Sequence, residues 1–183
     1  PQNRTLFLEE TDLQNPVPLL EDLNDLQGIY CGDCLEGMEQ LPGQSVDLIF
    51  ADPPYFGKTK FDNFNCANRE EYLIWCEQWI KQAARVLKDT GSLYVCCDWS
   101  YSGEIQRLLE KHLVVMNRIT WQREKGRGAA RNWKNNMEDI WFAVQNQRKY
   151  VFNLEDVKLP KKVIAPYTDD KGRPKDWAEN PSG

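Results

Sequence analysis

Short apolar segments that favour β-strand alternate with amphipathic helical segments along this 183-residue chain. The apolar spacing predicts strands at residues 28–31, 46–51, 92–97 and 114–121 and helices at residues 35–41, 70–87 and 103–113. A polar loop is predicted at residues 56–69, and Asp-Thr-Gly at residues 89–91 is expected to close the second helix. This alternation is typical of an α/β fold with a mostly parallel sheet, in which ligands bind at the carboxyl ends of the strands.

Two more strands are predicted after this core, at residues 137–144 and 150–152, as a hairpin at the far edge of the sheet. Residues 1–27 contain several acids and have weak periodicity, which predicts an N-terminal arm. Beyond residue 155 the chain becomes rich in Lys, Pro and Asp and loses its periodicity. The expected organisation is therefore an arm at 1–27, a core at 28–155 and the start of another region at 156–183.

The composition suits one buried core, because 41% of the residues are hydrophobic. We find no apolar run of membrane-spanning length and no charged-then-apolar leader, so neither membrane insertion nor secretion is predicted. Several of the six cysteines lie inside apolar segments, which favours reduced thiols over a disulfide framework. A cytoplasmic location is the resulting expectation.

Basic residues are concentrated in one stretch although the formal net charge is −5. Residues 118–134 carry six Lys or Arg side chains against the single acid Glu124. The run at 123–134, which includes Gly126 and Gly128, is predicted to be a flexible loop. From charge alone, a loop that contacts phosphate and a merely solvated loop are equally good interpretations.

The most informative motif is Asp-Pro-Pro-Tyr at residues 52–55, directly after a buried strand. An aromatic amino group is a poor nucleophile, because its lone pair is delocalised into the ring. Asp52 and the carbonyl of Pro53 can accept its hydrogens, and proline stiffens the turn because it fixes φ. Tyr55 can then stack on a base that has left the duplex. The alternative is a rigid turn with Tyr55 packed in the core.

Three other kinds of chemistry have weaker support. Cys31 and Cys34 have the spacing of a redox pair, but they lie in a predicted strand-to-helix turn. No second pair of Cys or His has ligand spacing, since Cys96 and Cys97 are adjacent in a strand and point to opposite faces. His112 is the only histidine and is expected at the surface, so no metal site and no histidine-dependent nucleophile are predicted.

Residues 30–36, Leu41-Pro42 and residues 45–55 together resemble the N-terminal block of the β-group DNA amino-methyltransferases, whose motifs occur in permuted order with the catalytic one first. The similarity continues through residues 91–95, 119–121 and 131–141, and so covers residues 28–155. It implies a Rossmann-like methyltransferase core and the cofactor S-adenosyl-L-methionine.

The resemblance also implies roles for individual residues. The catalytic turn is formed by Asp52, Pro53, Pro54 and Tyr55. The cofactor is bound by Asp33, Cys34 and Asp52, the first two against its adenine ring. The residues expected to contact DNA are Trp133, Arg123, Lys125, Arg127 and Arg131.

Trp133 matches the aromatic position before the family's Asn-x-His-Glu-like segment, with Asn135 and Glu138 at matching spacing. Met137 replaces the histidine of that segment, which leaves the role of this position open. For Trp133 itself, positioning of the flipped base and packing in the core are equally good interpretations.

The activity implied by the resemblance is methyl transfer to adenine N6 in a short sequence of double-stranded DNA. Cytosine N4 ranks second, because relatives of that specificity more often carry Ser in place of Asp52. A third alternative is a non-catalytic DNA-binding subunit of the same fold. The recognition sequence is not predicted, because its determinants are expected after residue 156.

The sequence contains no Phe-x-Gly-x-Gly-like turn for the cofactor. In the permuted family this motif lies near the C-terminus, and two strands encoded there separate the strands that end at Asp33 and Asp52. The sheet is therefore expected to be incomplete in this chain, and a further segment of the same chain or a complementing chain is expected to supply the rest. Residues 1–183 alone are predicted neither to fold stably nor to bind cofactor well, and a homodimer remains open.

Overall fold

The computed structural model describes residues 32–57, 66–127, 131, 133, 135–158 and 170–171. The strand predicted at 28–31 and the arm at 1–27 lie outside the described residues, as does most of the predicted loop at 56–69. The chain divides into two compact units, Pro1–Val151 and Phe152–Gly183. The second unit contains one short described helix, Leu154–Val157.

A four-stranded sheet forms the centre of the first unit. Its strands are β1 (Val46–Ala51), β2 (Leu87–Cys97), β3 (Val114–Arg127) and β4 (Asn135–Val144), in the order β1-β2-β4-β3. β1 and β2 pair in parallel, whereas β4 is antiparallel to both β2 and β3. β1, β2 and β3 therefore run in one direction, but two of the three described pairings are antiparallel. The described sheet is thus mixed and not mostly parallel, because the hairpin strand β4 inserts between β2 and β3.

Three helices belong to the same unit: α1 (Cys34–Gln40), α2 (Arg69–Val86) and α3 (Ser102–Glu110). α2 begins at a polar cap, because the Asn68 side chain accepts a hydrogen bond from the backbone N–H of Glu71 at 3.0 Å. Near the end of α2, Arg85 donates to the carbonyl oxygens of Met38 and Leu41 at 2.6 and 2.9 Å. These bonds tie the segment before β1 to the helix that follows it.

The main core lies between the helices and one face of the sheet. Its buried residues come from α2, α3 and the alternate positions of β2 and β4: Tyr72, Cys76, Trp79, Ile80, Ala83, Ile105, Leu108, Leu109, Leu93, Val95, Cys97, Trp141 and Ala143. The indole N–H of Trp141 donates to the carbonyl and hydroxyl oxygens of Ser102 at 3.0 and 3.1 Å. The buried indole is thus hydrogen-bonded, as burial of a polar group requires.

The opposite face of the sheet carries a row of aromatic rings. Phe50, Tyr94 and Phe142, from β1, β2 and β4, stack with centroid separations of 6.5 and 4.8 Å, and Tyr150 meets Phe142 edge-on at 5.8 Å. The row becomes exposed towards β1, where Leu48 and Phe50 are 59% and 61% accessible. β1 is also an outer strand of the described sheet. The apolar side chains on this part of β1 are therefore largely uncovered in the described part of the chain.

The expected turn at residues 89–91 lies instead within β2, as an irregularity in its pairing with β1. Between the pairs Val46↔Leu87 and Leu48↔Ser92, β2 advances from 87 to 92 while β1 advances only from 46 to 48. The extra residues fold over Leu87: a Cβ atom on Gly91 would lie 2.8 Å from two side-chain atoms of Leu87 and 3.0 Å from the Lys88 carbonyl oxygen. Glycine is therefore required at this bulge because of close approach.

Replacing Gly91 with alanine should destabilise the protein by about 1–3 kcal/mol, because the added methyl group overpacks against the fully buried Leu87. Gly103→Ala is a matched control, since a Cβ there meets nothing closer than the Arg107 side chain at 3.6 Å. Urea unfolding of the complete protein measures both changes. Equal midpoints for the two variants would contradict the steric account.

The structure also corrects the region after residue 121. β3 continues to Arg127, where it pairs with Asn135, so residues 123–127 are strand and not loop. The hairpin partner of β4 is β3, and residues 150–152 are not a strand. β4 lies between β2 and β3. Its residues 140–144 are all buried, as is typical of a strand that is covered on both faces. In the part of the chain that is described, no helix is long and apolar enough to span a membrane.

Candidate active site

The Asp-Pro-Pro-Tyr motif begins directly after β1, at the edge of the sheet where β1 and β2 end. Ala51, the last residue of β1, pairs with Val95, and β2 ends shortly after at Cys97. Because β4 is antiparallel, its first residues reach this same edge, with Asp139 opposite Cys97. The fold therefore brings residues 52–55, the end of β2 and the start of β4 together.

Tyr55 and Asp52 form a hydrogen bond within the turn: the phenol donates to Asp52 Oδ1 at 3.0 Å. Burial, and then this carboxylate, raise the pKa of Tyr55 well above its usual value. The phenol consequently stays protonated at neutral pH and remains a donor. Asp52 is exposed and Tyr55 only half-buried, and Tyr55 is not part of the described core.

Phe56 fixes the turn to the helical layer, a role that the sequence analysis missed. Its ring lies 5.7 Å from the ring of Tyr72 on α2 and 6.0 Å from that of Tyr101 before α3. The sequence feature that could have indicated this role is an aromatic residue directly after Tyr55, in a segment otherwise predicted to be polar. The packing holds the backbone of the turn in place, so Asp52 does not depend on a free loop for its position.

A cavity of about 350 Å³ lies beside Asp52. Its walls are mostly apolar and come from α1, β1, the Asp-Pro-Pro turn and α2: Cys34, Met38, Ile49, Phe50, Ala51, Asp52, Pro53, Pro54, Trp75, Trp79 and Ala83. Of the residues predicted to bind cofactor, Cys34 and Asp52 share this cavity. Asp33 is not among its lining residues; its side chain accepts from the Leu35 N–H at 2.7 Å and caps α1.

The predicted DNA-contacting residues lie on or near the β3–β4 hairpin. Trp133 is 95% accessible, so its side chain does not pack in the described core. Arg131 is exposed, and Arg123 forms an ion pair of 2.7 Å with Glu138. Lys125 and Arg127 belong to β3, but their side chains lie outside what the structure describes.

The described cysteines are free thiols. Burial and the charge of Asp33 raise the pKa of Cys34, which is opposite to the shift of a reactive thiolate, and Cys31 lies outside the described residues. Burial raises the pKa of Cys97, in the core, to about 12. No group of three or more His, Cys, Asp or Glu residues suited to a metal occurs among the described residues.

His112 differs from its expected surface position. Its side chain is 23% exposed and lies after α3, with Nε2 3.8 Å from Glu77 Oε1. The turn that ends α3 folds back against α2, which buries part of the ring. This places His112 on the helical layer, and it is not among the residues that line the cavity beside Asp52.

Comparison with known proteins identifies the family. The family model described as DNA methylase matches residues 46–174, which include the Asp-Pro-Pro-Tyr turn and the whole sheet. The chain belongs to the DNA methylase family. This methylase is 29% identical over 149 residues to the Type II methyltransferase M.HpaI of Haemophilus parainfluenzae, an alignment that covers 80% of this chain and 48% of the relative.

Two further relatives have similar coverage. The Type II methyltransferase M.HinfI of Haemophilus influenzae is 32% identical over 158 residues, with 75% of this chain and 44% of the relative covered. The DNA adenine methyltransferase YhdJ of Escherichia coli K12 is 32% identical over 142 residues, with 76% and 48% covered. The methylase chain thus spans about half the length of the curated relatives that it matches.

Solved structures show the same fold. The PvuII DNA methyltransferase, which is cytosine-N4-specific, has a TM-score of 0.54 at 19% identity and covers 64% of this chain and 49% of its own. TTHA0409 from Thermus thermophilus, in complex with S-adenosyl-L-methionine, has a TM-score of 0.53 at 20% identity and covers 70% and 58%. The Rossmann-like α/β fold of this methylase is therefore shown.

Proposed function

We propose that this DNA methylase transfers a methyl group from S-adenosyl-L-methionine to N6 of adenine in double-stranded DNA. The observation that carries the proposal is the Asp52 carboxylate, held at the carboxyl end of β1 by the Phe56 packing and placed at the wall of an apolar cavity. The family match supports the reaction type, and a DNA adenine methyltransferase is among the relatives.

The residues of the turn would act on the amino group of a base taken out of the duplex. Asp52 and the Pro53 carbonyl accept its two hydrogens, which favours a pyramidal nitrogen with an available lone pair. The cofactor would supply the methyl group to this lone pair, and Asp52 or water would take the proton that leaves the nitrogen. Tyr55 stacks on the base, because its ring lies beside Asp52 and its hydroxyl is anchored there.

The cavity beside Asp52 fits the cofactor in chemical character. Apolar and aromatic walls suit an adenine ring, and a carboxylate at one end suits the positive charge of a sulfonium. Cys34 and Asp52 would contact it there, and the cofactor would supply the activated methyl group. Asp33 would act through α1, whose first turn it caps, and not through direct contact.

We further propose that the active enzyme includes another segment, from the same chain or from a complementing chain, that pairs with β1. β1 is an outer strand of the described sheet, and its Leu48 and Phe50 are exposed. The relatives are about twice as long as the part that this chain matches. A homodimer is a second way to cover this face.

The free thiols agree with a reducing compartment, which favours the cytoplasm.

Incubation of the complete protein with tritiated cofactor and double-stranded DNA, followed by nucleoside analysis, tests the proposal. The expected product is labelled N6-methyl-2′-deoxyadenosine. Labelled N4-methyl-2′-deoxycytidine would move the specificity to the alternative represented by the PvuII enzyme. Absence of transfer, together with retained DNA binding, would favour a non-catalytic DNA-binding subunit.

A further inference from the structure

Glu138 occupies a position between the catalytic turn and the basic strand. On the hairpin it pairs with Trp121, and its Oε1 lies 2.7 Å from Nη1 of Arg123. On the side of β2 it lies one residue beyond Asp139, the partner of Cys97, and so at the end of β2 beside the turn. The Glu138 side chain is 25% exposed and that of Arg123 57% exposed. The carboxylate is therefore enclosed, while the guanidinium reaches towards solvent.

The negative charge of Glu138 affects the pKa of a residue in the catalytic turn. It contributes, after burial and Asp52, to the raised pKa of Tyr55. It also contributes, after burial and Asp52, to a pKa of about 11 for Cys96, which lies near the end of β2. Asp52 and Glu138 thus place two carboxylates close to one site. Uncompensated, they would repel the phosphates of an approaching DNA strand.

Arg123 supplies the compensating charge, and the geometry of the hairpin limits where this charge can be. The regular β3–β4 pairing stops at Gln122↔Met137 and resumes only at Arg127↔Asn135, so Arg123 is the first residue of the irregular part. Without a partner, a long side chain at such a position would sample many rotamers. The ion pair with Glu138 restricts that freedom and keeps the guanidinium near the carboxyl end of β3. This is the end of the sheet at which β1 leads into Asp52, although β2 and β4 lie between β1 and β3.

We propose that Glu138 is a positioning residue that holds Arg123 at the end of the sheet where the Asp52–Tyr55 turn lies, so that Arg123 binds a phosphate of the DNA strand that enters the site. The contact would fix the register of the strand relative to Asp52, so the pair affects the methyl-transfer step as well as affinity. The inference rests on the proposed function, which it deepens by naming a phosphate contact. Arg guanidinium is well suited to such a contact, because it keeps donors for phosphate while one is used by a carboxylate.

The test compares Glu138→Gln, Arg123→Gln and the double variant in the complete protein. Each single variant should lower the single-turnover rate constant at saturating DNA about tenfold, the loss expected for a charged hydrogen bond. The double variant should lose no more than the worse single one, because the two residues act as a unit. Arg123→Gln should also reduce the salt slope of DNA affinity by about one, whereas Glu138→Gln should leave the slope unchanged.

Arg118→Gln is the matched control. Arg118 lies on the same strand, is 54% exposed and faces Asp139 at 3.7 Å, so the variant removes an equal charge away from Glu138. Multiplicative losses in the double variant, or an Arg123→Gln effect no larger than that of Arg118→Gln, would overturn the inference. So would faster transfer by Glu138→Gln, which simple removal of a repulsive charge predicts. A wild type that binds DNA without transferring methyl groups would instead refute the proposed function, and the salt slope would still test the Arg123 contact.

Discussion

Asp52→Ala should lower methyl transfer by about a hundredfold to a thousandfold while most of the DNA affinity remains. The carboxylate is the acceptor that the turn offers to the amino group, and Tyr55 is hydrogen-bonded to it at 3.0 Å. Alanine removes both the acceptor and the anchor of the phenol. DNA affinity should persist, because phosphate contacts made elsewhere supply most of it. Single-turnover transfer and equilibrium DNA binding measure the two effects separately.

Asp47→Ala is the control for this prediction. Asp47 lies near the start of β1, the strand that leads into Asp52, and its exposed carboxylate forms an ion pair of 2.8 Å with the partly exposed Lys88. Loss of such a pair costs less than about 1 kcal/mol and leaves the turn untouched. Undiminished transfer by Asp52→Ala, or an equal loss in both variants, would contradict the assigned mechanism.

Residues 1–183 alone should fail to bind S-adenosyl-L-methionine with useful affinity and should unfold without a sharp transition. The physical reason is the state of β1: its Leu48 and Phe50 are 59% and 61% exposed, and only β2 pairs with it in the described sheet. Ile49, Phe50 and Ala51 of this strand line the cavity. A strand with one neighbour does not hold a binding wall rigidly.

Calorimetric titration of the isolated chain and of the complete protein, together with urea unfolding of both, checks this expectation. Addition of the remaining segment as a separate polypeptide should restore cofactor binding. If residues 1–183 alone unfold cooperatively and bind cofactor as tightly as the complete protein, the proposal of a further segment is wrong.

Local pattern was sufficient for the elements that carry the site. β1 occupies the predicted residues 46–51, because an apolar β-branched run is bounded there by Gly43 and by the prolines after Asp52. α1 and α2 also lie within one residue of their predicted bounds. Capping side chains and the apolar stripe that starts at Tyr72 depend only on residues close together in the sequence, so the bounds of these helices can be predicted from it.

The remaining errors concern information that is not local. The position of β4 between β2 and β3 depends on pairing between residues distant in the chain, and apolar periodicity does not specify partners. The extension of β3 through residues 123–127 overrides two strand-weakening features, charge and glycine, because β4 is available as a neighbour. The contact of Glu138 with Arg123 also depends on the pairing of β3 with β4, so it could not be predicted from the local sequence pattern.

The exposed part of β1 has a consequence for how Asp52 variants behave in solution. Outer strands with exposed apolar side chains tend to self-associate, and charged residues at their ends act as gatekeepers against this. Asp47 and Asp52 flank Leu48 and Phe50 in this way. The catalytic acid therefore also protects its own strand from aggregation. Activity of an Asp52 variant is meaningful only when measured on a fraction that size-exclusion chromatography shows to be free of aggregates.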